Sequence, residues 1–355
     1  MIHQYSTMRT FLLGMIIVPV VVGFSADPST CSNVRQPKFN SYCTGECTNP
    51  TIEAANSKSS KVDDNQPGQP FAIVLGIAQD AGFPQAGCRK QCCAAAWDQT
   101  ELRRHATCLA IIDPDSKQRW ILECTPDFRD QLRLLDEHFP VENSPGLDGI
   151  FLTHAHIGHY VGLVHLGREV MNAKRIPVHT LPRMNTFLST NGPWDRLVKL
   201  ENIVLMELGN GVETKLNKRV SITPLTVPHR DEYSETAAFI VNGGNRKLLF
   251  LPDIDKWDRW GKNIVDVLKT VDVAFVDGSF YADGEIAGRN MSEIPHPFIT
   301  ESMERFGQLP ASERQKIHFI HLNHTNPALQ TDSKARNQIE RMGMNVAEQS
   351  AVIEL

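Results

Sequence analysis

The chain has 355 residues, a formal net charge of −5 and 41% hydrophobic residues. This length is enough to bury a sizeable core in one large domain or two smaller ones. The mild acidic charge argues against an electrostatic nucleic-acid binder, and the hydrophobic content is ordinary for a globular protein. We therefore expect no nucleic-acid partner.

The first segment has the pattern of an export signal. Arg9 precedes an apolar run, residues 11–24, which is followed by the small residues Ser25 and Ala26. The run is too short to cross a bilayer comfortably, and its flanks are typical of a secretory signal. We expect 1–26 to be a cleaved signal peptide and the mature protein to be periplasmic or secreted, without a stable membrane span. An uncleaved N-terminal anchor is the alternative.

The next segment, residues 27–69, is rich in Ser, Asn, Pro, Thr and Lys and has no apolar periodicity, so we expect a flexible linker. It contains Cys31, Cys43 and Cys47. In an oxidising compartment two of these can pair, which leaves one spare.

Residues 70–355 alternate short apolar runs with helical periodicity. The strand candidates, in chain order, are FAIVLGIA, TCLAIID, RWILEC, DGIFLTH, NIVLMEL, VSITPLTV, AAFIV, KLLFL, VAFVD and KIHFIHL. The helix candidates are DFRDQLRLLDEHF, HYVGLVHLGREVMNA, PWDRLVKL and PFITESMERF. This pattern indicates one layered α/β domain with mixed sheets. Cys108 and Cys124 lie in strand-like runs and are expected in the core.

Side chains of the metal-ligand type fall where several of these strands end. They are His154, His156, His159, His229, Asp253 and His321. Neutral imidazole and carboxylate bind zinc, iron and manganese, and strand ends on one edge of a sheet converge in space. A lone histidine at a strand end is usually structural, so His165, His179 and His318 are expected to have structural roles.

The spacing of these residues suits two metals. One histidine pair can serve the first metal and the third histidine the second, while Asp253 has two oxygens with which to bridge them. Two metals roughly 3.5–4 Å apart can share a hydroxide and lower the pKa of water from about 15.7 to near 7.

The segment HAHIGH, with the later strand-end ligands, resembles the H-x-H-x-D-H signature of the metallo-β-lactamase superfamily. Within it, GIAQDAGFPQAGC, VPHRDEYSET, VDGSF and HLNHTNP are similar to the branch of coenzyme PQQ synthesis protein B and the phosphonate-pathway cyclic phosphodiesterase. The resemblance implies a four-layer αββα sandwich with metals at one edge. It implies one metal on His154, His156 and His229, a second on His159 and His321, and Asp253 between them.

Gly158 departs from this signature, because the family has a metal-binding aspartate at that position. Either the second metal site is weak, or Asp255, Asp231 or a water completes it. The hypothesis is one tightly and one loosely bound metal, with Gly158→Asp raising the occupancy of the second site.

A second cluster, CRKQCC, follows the first strand and contains Cys88, Cys92 and Cys93. A structural zinc needs four ligands in a tetrahedral array. The resemblance implies that His324 is the fourth. A disulfide or free thiols are the alternatives, and an oxidising location favours them.

Other polar residues are candidates for contact with the substrate. The resemblance implies that His296 lies in the active site, where it can act as general acid, with a polar helix cap as the alternative. Arg183 and Asn185 can meet an anionic substrate or simply lie on the surface. Asp277 follows a strand and is expected to orient a ligand imidazole.

These patterns together indicate a metal-dependent hydrolase that acts on a small-molecule substrate, in which a metal-bound hydroxide attacks a phosphodiester or another ester or lactone-type bond. His296 and Asp253 are its candidate catalytic residues. The expected cofactor is zinc, one or two ions at the active site, and the ligands also suit manganese and iron. The alternatives are an iron-dependent oxidative or cofactor-biosynthetic role, and a non-catalytic small-molecule binder. The oligomeric state is left open, a dimer being one option.

Overall fold

The computed structural model describes residues 68–355. The predicted signal peptide, nearly all of the predicted linker and the three cysteines in it lie outside the described residues. None of the helices in the described range combines the length and the apolar character that a bilayer crossing requires.

The described chain contains fourteen strands. They are β1 (Phe71–Gly76), β2 (Cys108–Asp113), β3 (Gln118–Leu122), β4 (Gly149–Phe151), β5 (Ile176–Thr180), β6 (Ile203–Glu207), β7 (Thr214–Lys215), β8 (Ser221–Val227), β9 (Thr236–Asn242), β10 (Lys247–Leu251), β11 (Val273–Asp277), β12 (Ile317–Ile320), β13 (Asn345–Val346) and β14 (Val352–Glu354).

Nine α-helices lie between these strands in the described range. They are α1 (Gln91–Asp98), α2 (Phe128–His138), α3 (Ile157–Tyr160), α4 (Pro182–Thr190), α5 (Trp194–Lys199), α6 (Ile264–Leu268), α7 (Ile299–Phe306), α8 (Ala311–Arg314) and α9 (Lys334–Arg341).

The strands form two seven-stranded mixed sheets with matching topology. Sheet 1 has the order β14-β1-β2-β3-β4-β5-β6, and sheet 2 has the order β13-β12-β11-β10-β9-β8-β7. In sheet 1, β14, β1, β2 and β3 pair antiparallel and the strands from β3 to β6 pair parallel. In sheet 2, β7 to β10 pair antiparallel and β10 to β13 pair parallel.

Alternate side chains of sheet 1 enter two different cores. On β1, Ala72 and Val74 pack in the core that sheet 1 shares with sheet 2, where Phe239 and Phe250 lie. Ile73 and Leu75 point to the opposite face and pack with residues of α2, α4 and α5. Residues of α6, α7 and α9 belong to the first core, together with sheet 2. This period-2 alternation confirms the predicted α/β sandwich of two mixed sheets.

The prediction of a helix over HYVGLVHLGREVMNA is wrong for most of the length of this segment. The chain forms the four-residue α3, then a short 3-10 stretch over 161–166, and then turns. Backbone bonds to the end of β3 interrupt the helix: Cys124 N–H donates to the His159 carbonyl, and the Cys124 carbonyl accepts from Gly162 N–H. Gly162 permits this approach, since an added Cβ would lie 2.2 Å from the Thr125 carbonyl oxygen.

The three histidines predicted to be structural each face an aromatic ring. His179 stacks on Phe151 with ring centroids 4.3 Å apart, His165 stacks on Phe128 at 5.7 Å, and His318 is tilted against Phe275 at 5.2 Å. Cys108 and Cys124 are fully buried, as predicted.

Candidate metal centre

The first histidines of the site are held by the end of β4 and its hydrogen bonds to Glu123. Thr153 donates its hydroxyl to Glu123 Oε1 over 2.5 Å, and its carbonyl accepts from the Ala237 N–H of sheet 2 over 3.0 Å. The segment after β4 is therefore fixed to both sheets before His154 and His156 leave it.

The first predicted ligand set comes together in the fold. The candidate ligand atoms of His154, His156 and His229 all lie within 4.8 Å of one another. His154 Nε2 is 2.8 Å from His156 Nδ1. Two ring nitrogens at this distance repel unless a proton or a cation lies between them, so their approach suits coordination of a shared metal.

Asp253, which follows β10, lies at the centre of the site. Its Oδ2 atom is 2.9 Å from His159 Nε2 and 3.8 Å from His154 Nε2, and its Oδ1 atom is 3.4 Å from His321 Nδ1 and 4.0 Å from His229 Nε2. The predicted position of Asp253 between the two histidine groups is the arrangement seen here.

The second group contains a carboxylate that the sequence analysis missed. Asp80, His159 and His321 place their candidate ligand atoms within 4.8 Å of one another. The carboxylates expected to compensate for Gly158 do not fill this place: Asp255 Oδ1 lies 3.4 Å from His229 Nδ1, on the side of the first group. Asp231 belongs to none of the ligand groups found in the described range.

Glu123 is a second residue that the sequence analysis missed. It follows β3, is fully buried, and lies 3.1 Å from His159 Nδ1 through Oε1. When this carboxylate accepts the Nδ1 proton, Nε2 of His159 is left with its lone pair toward the site. Burial raises the pKa of Glu123. The sequence does carry a signal for Glu123, namely a polar residue directly after a buried strand. The same kind of signal identified Asp253.

Several buried polar atoms of the site have no hydrogen-bond partner within the described chain. They are His229 Nδ1, His229 Nε2, Asp253 Oδ2, Asp255 Oδ1 and His321 Nε2. Asp253 Oδ2 is close to His159 Nε2, at 2.9 Å, but the two atoms do not have the geometry of a hydrogen bond. Native proteins rarely leave buried polar atoms unpaired, and an ion is one of the usual reasons. Imidazole nitrogens and a carboxylate oxygen facing one volume match the donors that zinc takes, so the residues fit a metal.

Electrostatics also favour a cation here. Burial and the neighbouring His159 hold the pKa of His154 well below its usual value, so this ring is neutral. Burial opposes ionisation of Asp253, but the charges of His321 and His159 outweigh it and hold its pKa well below the ordinary value. A buried carboxylate beside a neutral imidazole requires a positive charge, which a proton on His159 or a metal can supply.

His296 reaches the site and is positioned by Asp277. Its Nδ1 atom lies 2.7 Å from Asp277 Oδ2 and 3.6 Å from Asp253 Oδ1, and its side chain is almost fully buried. Burial opposes its charge, but Asp277 and then Asp253 outweigh burial and raise the pKa of His296. Asp277 also accepts the Ser279 hydroxyl, which is 2.9 Å from His321 Nδ1. Asp277 thus contacts the site histidines both directly and through Ser279, a residue the sequence analysis missed.

The cysteine cluster also assembles. Cys88, Cys92, Cys93 and His324 place their ligand atoms within 4.8 Å of one another. The Cys88 and Cys92 Sγ atoms are 3.8 Å apart, and all five cysteines of the described range are free of disulfides. A tetrahedral zinc with Zn–S bonds of about 2.3 Å has an S···S edge of about 3.8 Å, whereas a disulfide requires about 2.05 Å.

The remaining substrate-contact candidates lie outside the ligand groups. Arg183 is exposed and donates to the Asp231 carbonyl over 2.9 Å, and its backbone N–H donates to Glu235. Asn185 is partly buried on α4. Arg183 therefore fixes the loop that follows His229.

Residues 118–319, more than half of the chain, match the Beta-lactamase superfamily domain. The chain belongs to the beta-lactamase superfamily. Coenzyme PQQ synthesis protein B of Methylobacterium nodulans is 27% identical over 311 residues, which cover 80% of this chain and 99% of that protein.

Two solved structures share the metallo-β-lactamase fold with this chain. Zinc-bound PqqB from Methylobacterium extorquens has a TM-score of 0.68 and 21% identity, over 80% of this chain and all of the other. A diphosphatase from the PhnP family has a TM-score of 0.57 and 16% identity, over 81% of this chain and 98% of the other. The resemblance drawn from the sequence is confirmed.

Proposed function

We propose that this protein is a metal-dependent hydrolase that cleaves a phosphodiester or a related ester. The observation that carries the proposal is the buried group of histidines around Asp253, whose unpaired ring nitrogens and carboxylate oxygen face one another. His154, His156 and His229 would hold one metal, and His159 and His321 the other, with Asp253 between them. Such metals, when bound, polarise a substrate oxygen and lower the pKa of a water.

The protein's own contribution at the leaving group comes from His296. Asp277 takes Nδ1 of this ring, which leaves Nε2 as the nitrogen that can donate a proton. The raised pKa keeps the ring protonated closer to neutral pH. His296 would then transfer that proton to the departing oxygen as the ester bond breaks.

The open side of the site suggests what kind of substrate enters. His156 is partly exposed, and the flanking Ile157 and Tyr233 are 66% and 64% exposed. Phe187 lies beside Tyr233, with ring centroids 5.4 Å apart. Exposed apolar surface of this kind often marks a binding site, so an ester with an aryl or other apolar group suits it.

The test is turnover of a panel of aryl phosphodiesters and aryl esters, with and without a chelator. We expect chelator-sensitive hydrolysis that survives exchange among divalent metals, and a loss of activity in His229→Ala. His318→Phe, which alters a histidine packed on Phe275, is the matched control and should retain turnover. Hydrolysis that persists in the His229→Ala protein, or no chelator-sensitive turnover across the panel, would contradict the proposal.

A second candidate is an iron-dependent oxidative role in cofactor biosynthesis. It is favoured by the likeness to coenzyme PQQ synthesis protein B over 80% of the chain. The two functions differ in their metal requirement, because hydrolysis tolerates several divalent metals whereas oxidation needs a redox-active one. Activity with iron that disappears on replacement by zinc would favour the oxidative role.

A further inference from the structure

The space beside Gly158 is filled by another segment of the chain. A Cβ atom added to Gly158 would lie 2.4 Å from both Cα and Oδ1 of Asp80. An aspartate at position 158 would therefore need the volume that Asp80 already occupies. We propose that Asp80 takes over the role of the missing motif aspartate and ligates the second metal with His159 and His321.

The carboxylate of Asp80 points at the right nitrogen. Its Oδ1 atom is 3.7 Å from His159 Nε2, the same atom that faces Asp253 Oδ2 at 2.9 Å. His321 Nε2 is buried and has no partner in the described chain. Two carboxylates and two imidazoles thus approach one small volume from different elements, as the ligands of one cation do.

Backbone hydrogen bonds hold Asp80 in this position. Gln79 N–H donates to the Leu322 carbonyl and Leu322 N–H donates to the Ile77 carbonyl, both over 2.9 Å, so the loop after β1 lies against the residue that follows His321. Asp80 has a φ of 43°, in the left-handed region. Aspartate is among the few residues other than glycine that adopt this region, so its conformation is set by the loop.

An ion pair between Asp80 and a protonated His159 is the competing explanation. His159 Nε2 already has a closer carboxylate in Asp253, and the Asp80 side chain is 47% exposed. An exposed carboxylate gains little from a second, longer ion pair. A metal ligand, in contrast, accounts for a carboxylate that lies where the family's own ligand would be.

The experiment measures metal content and affinity, so its outcome is independent of the proposed hydrolysis. Asp80→Asn keeps the side-chain shape and tolerates the same backbone conformation, but removes the anionic ligand. After dialysis against graded chelator we expect Asp80→Asn to retain one zinc equivalent fewer than wild type. The zinc affinity of the second site should fall at least about ten-fold, because even the loss of an indirect metal contact has an effect of that size. Asp283→Asn, at an exposed aspartate that accepts its neighbour's N–H, is the matched control.

Substitutions at both positions give a second comparison. Gly158→Asp places its Cβ atom against the Asp80 backbone, so we expect no gain in occupancy of the second site, in contrast to the expectation drawn from the sequence. Asp80→Gly removes the carboxylate and suits the left-handed backbone conformation, so it should lose the same zinc equivalent as Asp80→Asn. Thermal melting of the chelated proteins checks that each variant folds. Wild-type zinc content and affinity in Asp80→Asn, or in a folded Asp80→Gly, would overturn the proposal.

Discussion

His159 uses its two ring nitrogens for different purposes. Nδ1 lies 3.1 Å from Glu123 and Nε2 lies 2.9 Å from Asp253. The buried glutamate therefore determines which nitrogen carries the proton and which faces the site. At His296, Asp277 Oδ2 lies 2.7 Å from Nδ1 and likewise holds the ring. In both cases a carboxylate outside the ligand groups fixes the orientation of an imidazole.

The proton-donor role of His296 predicts a dependence on the leaving group. In His296→Gln the rate on a dialkyl phosphodiester, whose leaving group is a basic alkoxide, should fall about 10²–10⁴-fold, the usual range for loss of a general acid. A p-nitrophenolate leaving group needs no proton, so its rate should fall far less. Steady-state kinetics on both substrates measure the difference, with His318→Phe as the control.

An equal loss on both leaving groups would contradict this role. It would indicate that His296 supports the metal group, which its 3.6 Å distance to Asp253 would then explain.

At the scale of the elements, the strands that are buried on both faces are among those that the sequence predicts. β2 and β11 consist entirely of buried residues, and both appear as continuous apolar runs. β7 and β13 have two residues each and depend on partners elsewhere in the chain, so no local pattern predicts them. β5 was missed because IPVHT contains a proline and a histidine, although it pairs on both sides.

The residues of the candidate site also fall into those that the sequence predicts and those that it does not. The strand-end rule locates His154, His229, Asp253 and His321, because each follows an apolar run. Asp80 was not predicted, since its role depends on the contact between Gln79 and Leu322, which are far apart in the sequence. Such a contact has no local signature.

The cysteine cluster at the start of α1 gives a prediction about metal content. Cys93→Ser should remove one zinc equivalent and lower the melting temperature, because it takes away one of the four candidate ligands of the cluster. Burial raises the pKa of the Cys93 thiol to about 12, and a bound metal would deprotonate it. Cys108→Ala, at a buried cysteine of β2, should keep the full zinc content. Elemental analysis and thermal melting measure both effects; unchanged zinc in Cys93→Ser would instead favour free thiols.

The histidine on β5 predicts a pH-dependent stability. Burial lowers the pKa of His179 from 6.5 to about 4. The unfolded chain therefore binds more protons than the folded protein in this interval. This contribution to the free energy of unfolding is fully present above pH 6.5 and is lost as the pH falls toward 4.

The variant His179→Phe retains an aromatic ring against Phe151 and removes the titrating group. Denaturant unfolding at several pH values should show a smaller loss of stability on acidification in this variant than in wild type. Identical pH dependence in the two proteins would show that His179 is not protonated on unfolding.

At the scale of the whole molecule, the candidate metal ligands come from both sheets. His154, His156 and His159 follow a strand of sheet 1, whereas His229, Asp253 and His321 follow strands of sheet 2. A metal bound by these residues would therefore stabilise the association of the two sheets.

Removal of metal should lower the melting temperature of the whole domain. A ligand at 1,000 times its Kd stabilises by about 4 kcal/mol. For a domain of this size, that corresponds to a decrease on the order of 10 °C. Calorimetry with and without chelator measures the shift, and re-addition of zinc should reverse it. A melting temperature that does not respond to chelator or zinc would contradict a metal shared by both sheets.

The strand β14 completes sheet 1 by pairing with β1, with Phe71 opposite Glu354, and Leu355 N–H donates to the Pro70 carbonyl over 2.8 Å. During translation, β1 leaves the ribosome some 280 residues before its outer neighbour does. Its edge is open to other nascent chains for that whole interval, and unpaired edges promote aggregation. The yield of soluble protein in a heterologous host should therefore rise with slower synthesis at low temperature and with chaperones that cover exposed strands.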